Sequence, residues 1–156
     1  MDSLKPQERL YWENYLQTIP QDLRPNNVFI SAGYAGTPEI TDNLLALYLS
    51  GKKTAGSSIL EDFLSAGDPP PQVGNYWIYL NSSGQPSCIL RTEKTVTHKY
   101  KDVPLEIAIA EGEGDLTLEY WTNTHSELYL PLIKQLGIAD LNDATVITEF
   151  FSIVYC

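Results

Sequence analysis

The chain has 156 residues, a length that suits one domain with a sizeable core. Its 20 acidic against 10 basic residues leave a net charge of −10, which sets it against extended duplex nucleic acid. No run approaches the roughly 20 apolar residues that cross a bilayer, and Met1 to Pro6 lacks the charged-then-apolar order of a secretory signal, so a cytoplasmic protein without a membrane partner is expected.

Pro6 to about Leu16 reads as a helix, with Pro6 in the first turn and Leu10, Tyr11, Tyr15 and Leu16 at helical spacing. Pro20 and Pro25 break it into a connector, so residues 1–25 read as a helical extension packed on a domain formed by residues 26–156. Val28 to Ile30 is a short strand, and Gly33 to Gly36 a turn. Thr37-Pro38-Glu39 then starts a helix that runs through Leu44, Leu45, Leu47 and Tyr48 to stop at Gly51. Ser57 to Leu60 reads as extended, with a short helical piece after it, and Gly67 to Pro71 as a loop. Tyr76 to Leu80 is an aromatic strand, Asn81 to Gly84 a hairpin turn, and Ser87 to about His98 a long strand. Pro104 opens a helix holding Ile107, Ala108 and Ala110. Thr117 to Leu136 is the longest helix, with Leu118, Trp121, Leu128 and Leu132 as core candidates, Asp115 as its N-cap, and Pro131 expected to kink or divide it. Thr145 to Tyr155 closes the chain as a strand. Strands scattered among helices without βαβ repetition define an α+β fold.

Two short runs stand out: Gly51-Lys52-Lys53-Thr54-Ala55-Gly56-Ser57-Ser58, and Glu111-Gly112-Glu113-Gly114-Asp115. The first puts two lysines after a helix end, followed by small hydroxyl residues. The second sets acids among glycines, which allow close backbone approach and positive φ. Facing each other, they would supply a lysine, a carboxylate and hydroxyls, the parts for proton transfer or for gripping a polar ligand. The lysines serve equally as caps on the preceding helix, where the dipole favours positive charge. Six of the ten bases, Lys52, Lys53, Arg91, Lys94, Lys99 and Lys101, fall between positions 52 and 101. A basic face there would hold a phosphate or a short single strand, and solvated strand positions explain three of them as well.

In order and spacing these runs resemble the hallmark stretches of the ASCH domain family, small barrels of the PUA-like group. The resemblance rests on Gly51 to Ala55 after the Leu44 to Leu47 helix, Pro86-Ser87-Cys88-Ile89-Leu90, Glu111 to Asp115, Leu118, Trp121 and His125, and it runs from about Phe29 to Tyr155. It implies a small PUA-like β-barrel surrounded by helices. It also implies a function on nucleosides or RNA: an amidohydrolase of acylated cytidine, a non-catalytic RNA or modified-nucleoside binding module, or a ribonuclease. Lys53 falls on the family's central lysine, and Glu113 on the acid that its amidohydrolases pair with that lysine. Glu111 is the second acidic candidate.

The family's hydroxyl nucleophile stands three residues after the lysine, where this chain has Gly56. Ser57 is taken as its catalytic substitute, although in an extended stretch it points to the opposite face, whereas Ser58 shares the face of Gly56 one pleat further on. A water activated by Lys53 and Glu113 is the other route. Ligand-binding candidates are Thr54, Ser58, Glu111, Arg91, Tyr48, which reaches the same region as Lys53, and Tyr34 and Trp77, either of which would stack on a base. His125 is assigned to structure or the pocket rim. Two histidines and two separated cysteines make no metal-binding spacing, so neither metal nor cofactor is expected, and Cys88 and Cys156 are taken as reduced. The expected partner is a modified nucleoside or a short single-stranded RNA.

Overall fold

A computed structural model of the chain describes residues 3–156, so the first two residues of the expected N-terminal extension lie outside it. Five helices, α1 (Pro6–Gln17), α2 (Pro38–Leu49), α3 (Leu60–Ala66), α4 (Leu105–Glu111) and α5 (Leu118–Gln135), surround five strands, β1 (Ile30–Gly33), β2 (Ala55–Ile59), β3 (Tyr76–Leu80), β4 (Pro86–Lys99) and β5 (Thr145–Tyr155). The sheet runs β1-β3-β4-β5-β2, with β1 parallel to β3 and every other pair antiparallel. It curls into a half barrel, the α+β architecture implied by the sequence.

The long strands β4 and β5 pair from Ile89 against Tyr155 to Lys99 against Thr145, with register shifts between Ile89 and Leu90 and between Thr92 and Lys94. Shifts of this kind bend a strand and increase its twist, which suits a sheet that must curl. One core lies between α4, α5 and the sheet, built on Ile59, Tyr100, Ile107, Trp121, Tyr129 and Val146. A second lies under α1, where Trp12 and Tyr15 meet Tyr76, Ile78 and Ile89. A third joins Tyr48, Tyr79, Cys88 and Leu90.

Several elements differ from the sequence expectation. The first strand is Ile30–Gly33 rather than residues 28–30, because parallel pairing with Tyr76–Tyr79 extends it through the small residues Ser31 and Ala32. On α1 the buried aromatic face is Trp12 with Tyr15, whereas Leu10 is 58% exposed. Helix α5 is not divided by Pro131. Its buried stripe is Trp121, His125, Tyr129 and Ile133, each one turn after the last, so Leu128 is turned outward at 60% exposure. Its N-cap is Thr117, whose side chain accepts from the Tyr120 amide, while Asp115 accepts from both the amide and the hydroxyl of Thr117. Cys88 and Cys156 are both free.

The burial of α1 predicts an asymmetric pair of substitutions. Trp12→Ala should lower the unfolding free energy by about 3–5 kcal/mol, as truncation of a packed Trp does, and Leu10→Ala by roughly 0.5 kcal/mol or less. Urea titrations of both variants test this, and equal losses would contradict the assignment of the buried face.

Candidate functional site

Helix α2 ends at Leu49, and Gly51, at φ 80°, turns the chain back toward α4. The segment after it then lies across the C-terminal end of α4. The Thr54 amide donates to Ala110 O at 2.7 Å and the Thr54 hydroxyl to the same carbonyl at 3.3 Å. Gly112 makes this crossing feasible. Its φ is 69°, and a Cβ there would lie 2.0 Å from Lys52 O. Both the backbone conformation and the space therefore require glycine.

The crossing carries Lys53 inward, and its side chain does not cap α2. Lys53 is only 5% exposed. Its Nζ donates to Glu113 Oε2 at 3.0 Å and to the Glu111 carbonyl at 3.3 Å, lies 3.6 Å from Glu111 Oε1, and stands 5.3 Å above the Tyr48 ring. Glu111 is buried more deeply than Glu113 and is held from several sides. Ser57 Oγ donates to its Oε2 at 3.0 Å, Trp121 Nε1 donates to the same oxygen, and His125 Nε2 lies 3.5 Å from Oε1. His125 is stacked on Trp121 and donates through Nδ1 to the Trp121 carbonyl at 2.8 Å. Glu113 pairs only with Lys53, and its Oε1 has no hydrogen-bond partner among the described residues.

Burial pushes the Glu111 carboxyl up, but the hydrogen bond and charge of His125, the charge of Lys53 and the Trp121 indole outweigh it, so the group sits below the ordinary glutamate range. Glu111 is thus a fixed anion that locates Lys53. Glu149, also in this region, goes the other way: burial raises it, partly offset by the hydrogen bond from Thr92. The Tyr48 hydroxyl is pushed well up by burial and by the nearby carboxylates, Glu111 foremost.

Lys53, Glu111 and Glu113 open onto a cleft of about 650 Å³, within the usual size range for small-molecule sites. One wall is aromatic: Tyr48, Trp77 and Phe151 have ring centroids 5.6–6.1 Å apart. Trp77 Nε1 is fixed on Gly33 O at 3.0 Å, and Tyr34 stands half-exposed at the rim. Gly56, Ser57 and Ser58 from β2 also line the cleft. The Ser57 hydroxyl is committed to Glu111 and to Thr148 Oγ1, 2.8 Å away.

The structure therefore brings together Lys53, Glu113, Glu111, Ser57, Ser58, Tyr34, Tyr48 and Trp77 around one cleft. Thr54 and Arg91 are not among its lining residues. Thr54 is turned onto the Ala110 carbonyl, and Arg91 pairs with Glu93 at 2.6 Å on the surface. Lys94 covers the Phe150 ring and Lys99 donates to the Asp143 carbonyl, so the clustered bases of the sequence form no shared face at the cleft. His125, assigned to structure or the rim, is buried against Trp121 and Glu111 and reaches the cleft as a lining residue. Glu149 and Thr92, both at the cleft, carry no motif and become visible only through strand register. Among the described residues, no group of three or more His, Cys, Asp or Glu is placed to hold a metal ion.

A half-barrel α+β domain with a lysine–carboxylate cluster at its cleft defines a PUA-like protein. The ASCH domain model matches residues 29–155, and the chain belongs to the ASCH domain family. It is similar to the ASCH domain of Lactobacillus crispatus JV V101, at 27% identity and a TM-score of 0.92, over 100% of this chain and 99% of that one. It is also similar to a structure from Enterococcus faecalis V583, at 26% identity and a TM-score of 0.79, over 94% of this chain and 87% of that one. No curated protein matches the sequence.

Because the folded-state pKa of Glu111 is depressed, the folded protein binds fewer protons than the unfolded chain between the two values. The stability from Glu111 is then present above the ordinary value of 4.5 and is lost as pH falls through the folded value. Glu111→Gln should lower the melting temperature at pH 7 and weaken the loss of stability on acidification below pH 4.5. An unchanged acid limb would contradict the assignment. Gly112→Ala should cost on the order of 3 kcal/mol or more, since it combines left-handed strain with a backbone clash. A neutral result in a denaturant titration would show that Lys52 does not pass over α4 as described.

Proposed function

We propose that this chain hydrolyses an amide bond on a neutral, acylated nucleoside of the acetylcytidine type, with Lys53 and Glu113 as its catalytic residues. The observation that carries this reading is the Lys53–Glu113 pair at 3.0 Å, set in a cleft with an aromatic wall. Such a wall suits a planar base, and the pair suits proton transfer beside a developing oxyanion. The charge of the cleft favours a neutral substrate over a polyanion. Among the described residues, Lys53 is the only lysine or arginine in its lining, against the four carboxylates Asp68, Glu111, Glu113 and Glu149.

Gly56 leaves the family's nucleophile position empty, and the Ser57 hydroxyl is already held by Glu111 and Thr148. Water is therefore the better-supported nucleophile. Glu113 takes a proton from the water through its unpartnered Oε1, and the resulting hydroxide attacks the acyl carbon. The Lys53 ammonium stabilises the tetrahedral oxyanion. As the C–N bond breaks, the protonated Glu113 returns its proton to the leaving nitrogen. That transfer regenerates the Glu113 carboxylate and leaves the free amine of the nucleoside and a carboxylic acid, which then loses its proton to solvent. Gly56 also favours one other reading, a binding module for a modified nucleoside that has lost turnover.

The test is turnover of acetylcytidine, followed by mass analysis of products. Wild type should release cytidine at a rate nearly independent of salt. Lys53→Met should reduce kcat by roughly 10²- to 10⁴-fold, the range for losing a group that stabilises a transition state. Ser57→Ala should retain most of the activity, whereas its abolition would move the nucleophile to Ser57. A circular dichroism melt of each variant separates lost chemistry from lost fold. Binding without product would favour the module. Shortened RNA, with affinity falling steeply in salt, would favour a ribonuclease and overturn the proposal.

A further inference from the structure

A polar subsite surrounds Gly56. A Cβ at that position would lie 3.1 Å from Tyr48 Oη and 3.6 Å from Phe151 Cε2, so this face of β2 looks toward the aromatic wall. Directly opposite Gly56 on β5 stands Glu149. Residues paired in this way share a face, with Cβ atoms about 4.5–5.5 Å apart where both have them. Thr92 Oγ1 donates to Glu149 Oε2 at 2.8 Å and so fixes the carboxylate against the wall. Its Oε1 and the Tyr48 hydroxyl have no hydrogen-bond partner among the described residues, yet both residues line the cleft. Gly56 lets Tyr48 Oη come this close to β2, since any side chain there would crowd the hydroxyl, and both polar groups are left facing the cleft.

We propose that Glu149 is the specificity-determining residue of this cleft: its Oε1 accepts an N–H from the exocyclic nitrogen of a nucleobase, while Tyr48 Oη donates to the adjacent ring nitrogen. This rests on the nucleoside reading above. The two groups form an acceptor beside a donor, which matches the amino edge of cytosine or adenine. The same arrangement rejects uracil, whose O4 would meet Glu149 Oε1 acceptor to acceptor, leaving a desolvated carboxylate unpaired. Burial that holds the Glu149 carboxyl above its ordinary range fits a group short of hydrogen-bond donors, and a ligand N–H relieves that shortage. An acylated exocyclic nitrogen still carries one N–H, so the contact is compatible with the substrate proposed above.

Calorimetric binding of cytidine, adenosine and uridine at fixed pH tests this without requiring turnover. Wild type should bind cytidine, adenosine or both at least about tenfold more tightly than uridine. Glu149→Ala should bring the amino-to-carbonyl ratio close to one. In Glu149→Gln the amide oxygen can take the Thr92 hydroxyl and turn the NH₂ toward the ligand, so the preference should move toward uridine. A melt and a far-ultraviolet spectrum establish that both variants are folded. If wild type does not discriminate, or both variants keep its preference, the role of Glu149 is overturned while nucleoside binding stands. If no nucleoside binds, the nucleoside reading itself falls, and this inference falls with it.

Discussion

The site depends on the burial of one charge. Lys53 is almost fully removed from solvent, and an ammonium so placed must be paired. The pairing comes from Glu111 and Glu113, nearly sixty residues away in sequence. For them to meet, the backbone at Lys52 to Thr54 must lie directly on the end of α4, which only the absence of a side chain at Gly112 permits. Removing ions from water is costly, and buried ion pairs seldom add more stability than apolar packing of the same volume would. The cluster is therefore better understood as a device for holding a lysine in one place than as a source of stability.

The two glutamates divide the labour. Glu111 is gripped by Ser57, Trp121, His125 and Lys53 and is held as an anion, so it is a positioning group with little capacity to exchange protons. Glu113 is more open and keeps one oxygen without a protein partner. Under the proposed hydrolysis, that free oxygen is what lets Glu113, rather than Glu111, take a proton from water. The same network explains the burial of His125: it stacks on Trp121 and closes Glu111 from the α5 side.

Much of this was legible in the sequence, because glycines and charges announce themselves locally. Gly51 and Gly112 mark helix ends, and the runs around Lys53 and Glu113 follow them directly. The aromatic strand β3 and the long final strand were equally plain. What escaped depended on long-range partners. The start of β1 is set by pairing with β3, and the buried face of α1 by Tyr76 and Ile89, which no local periodicity reveals. Thr54 and Arg91 looked suited to a ligand, yet a carbonyl of α4 and a neighbouring glutamate hold them elsewhere. Glu149 carries no local signal, because its place at the cleft comes from facing Gly56 across the β2–β5 ladder.

On the proposed reading, a planar, neutral ligand occupies the cleft between Lys53 and the aromatic wall. The most direct measurement is a titration of isotopically labelled protein with cytidine, observed as backbone amide and Trp indole shifts in NMR spectra. Saturable changes are expected at Lys53, Glu113, Trp77 and Phe151, with Arg91, Lys94 and Lys99 unaffected. Shifts confined to those three β4 bases, or none at saturating nucleoside, would contradict it.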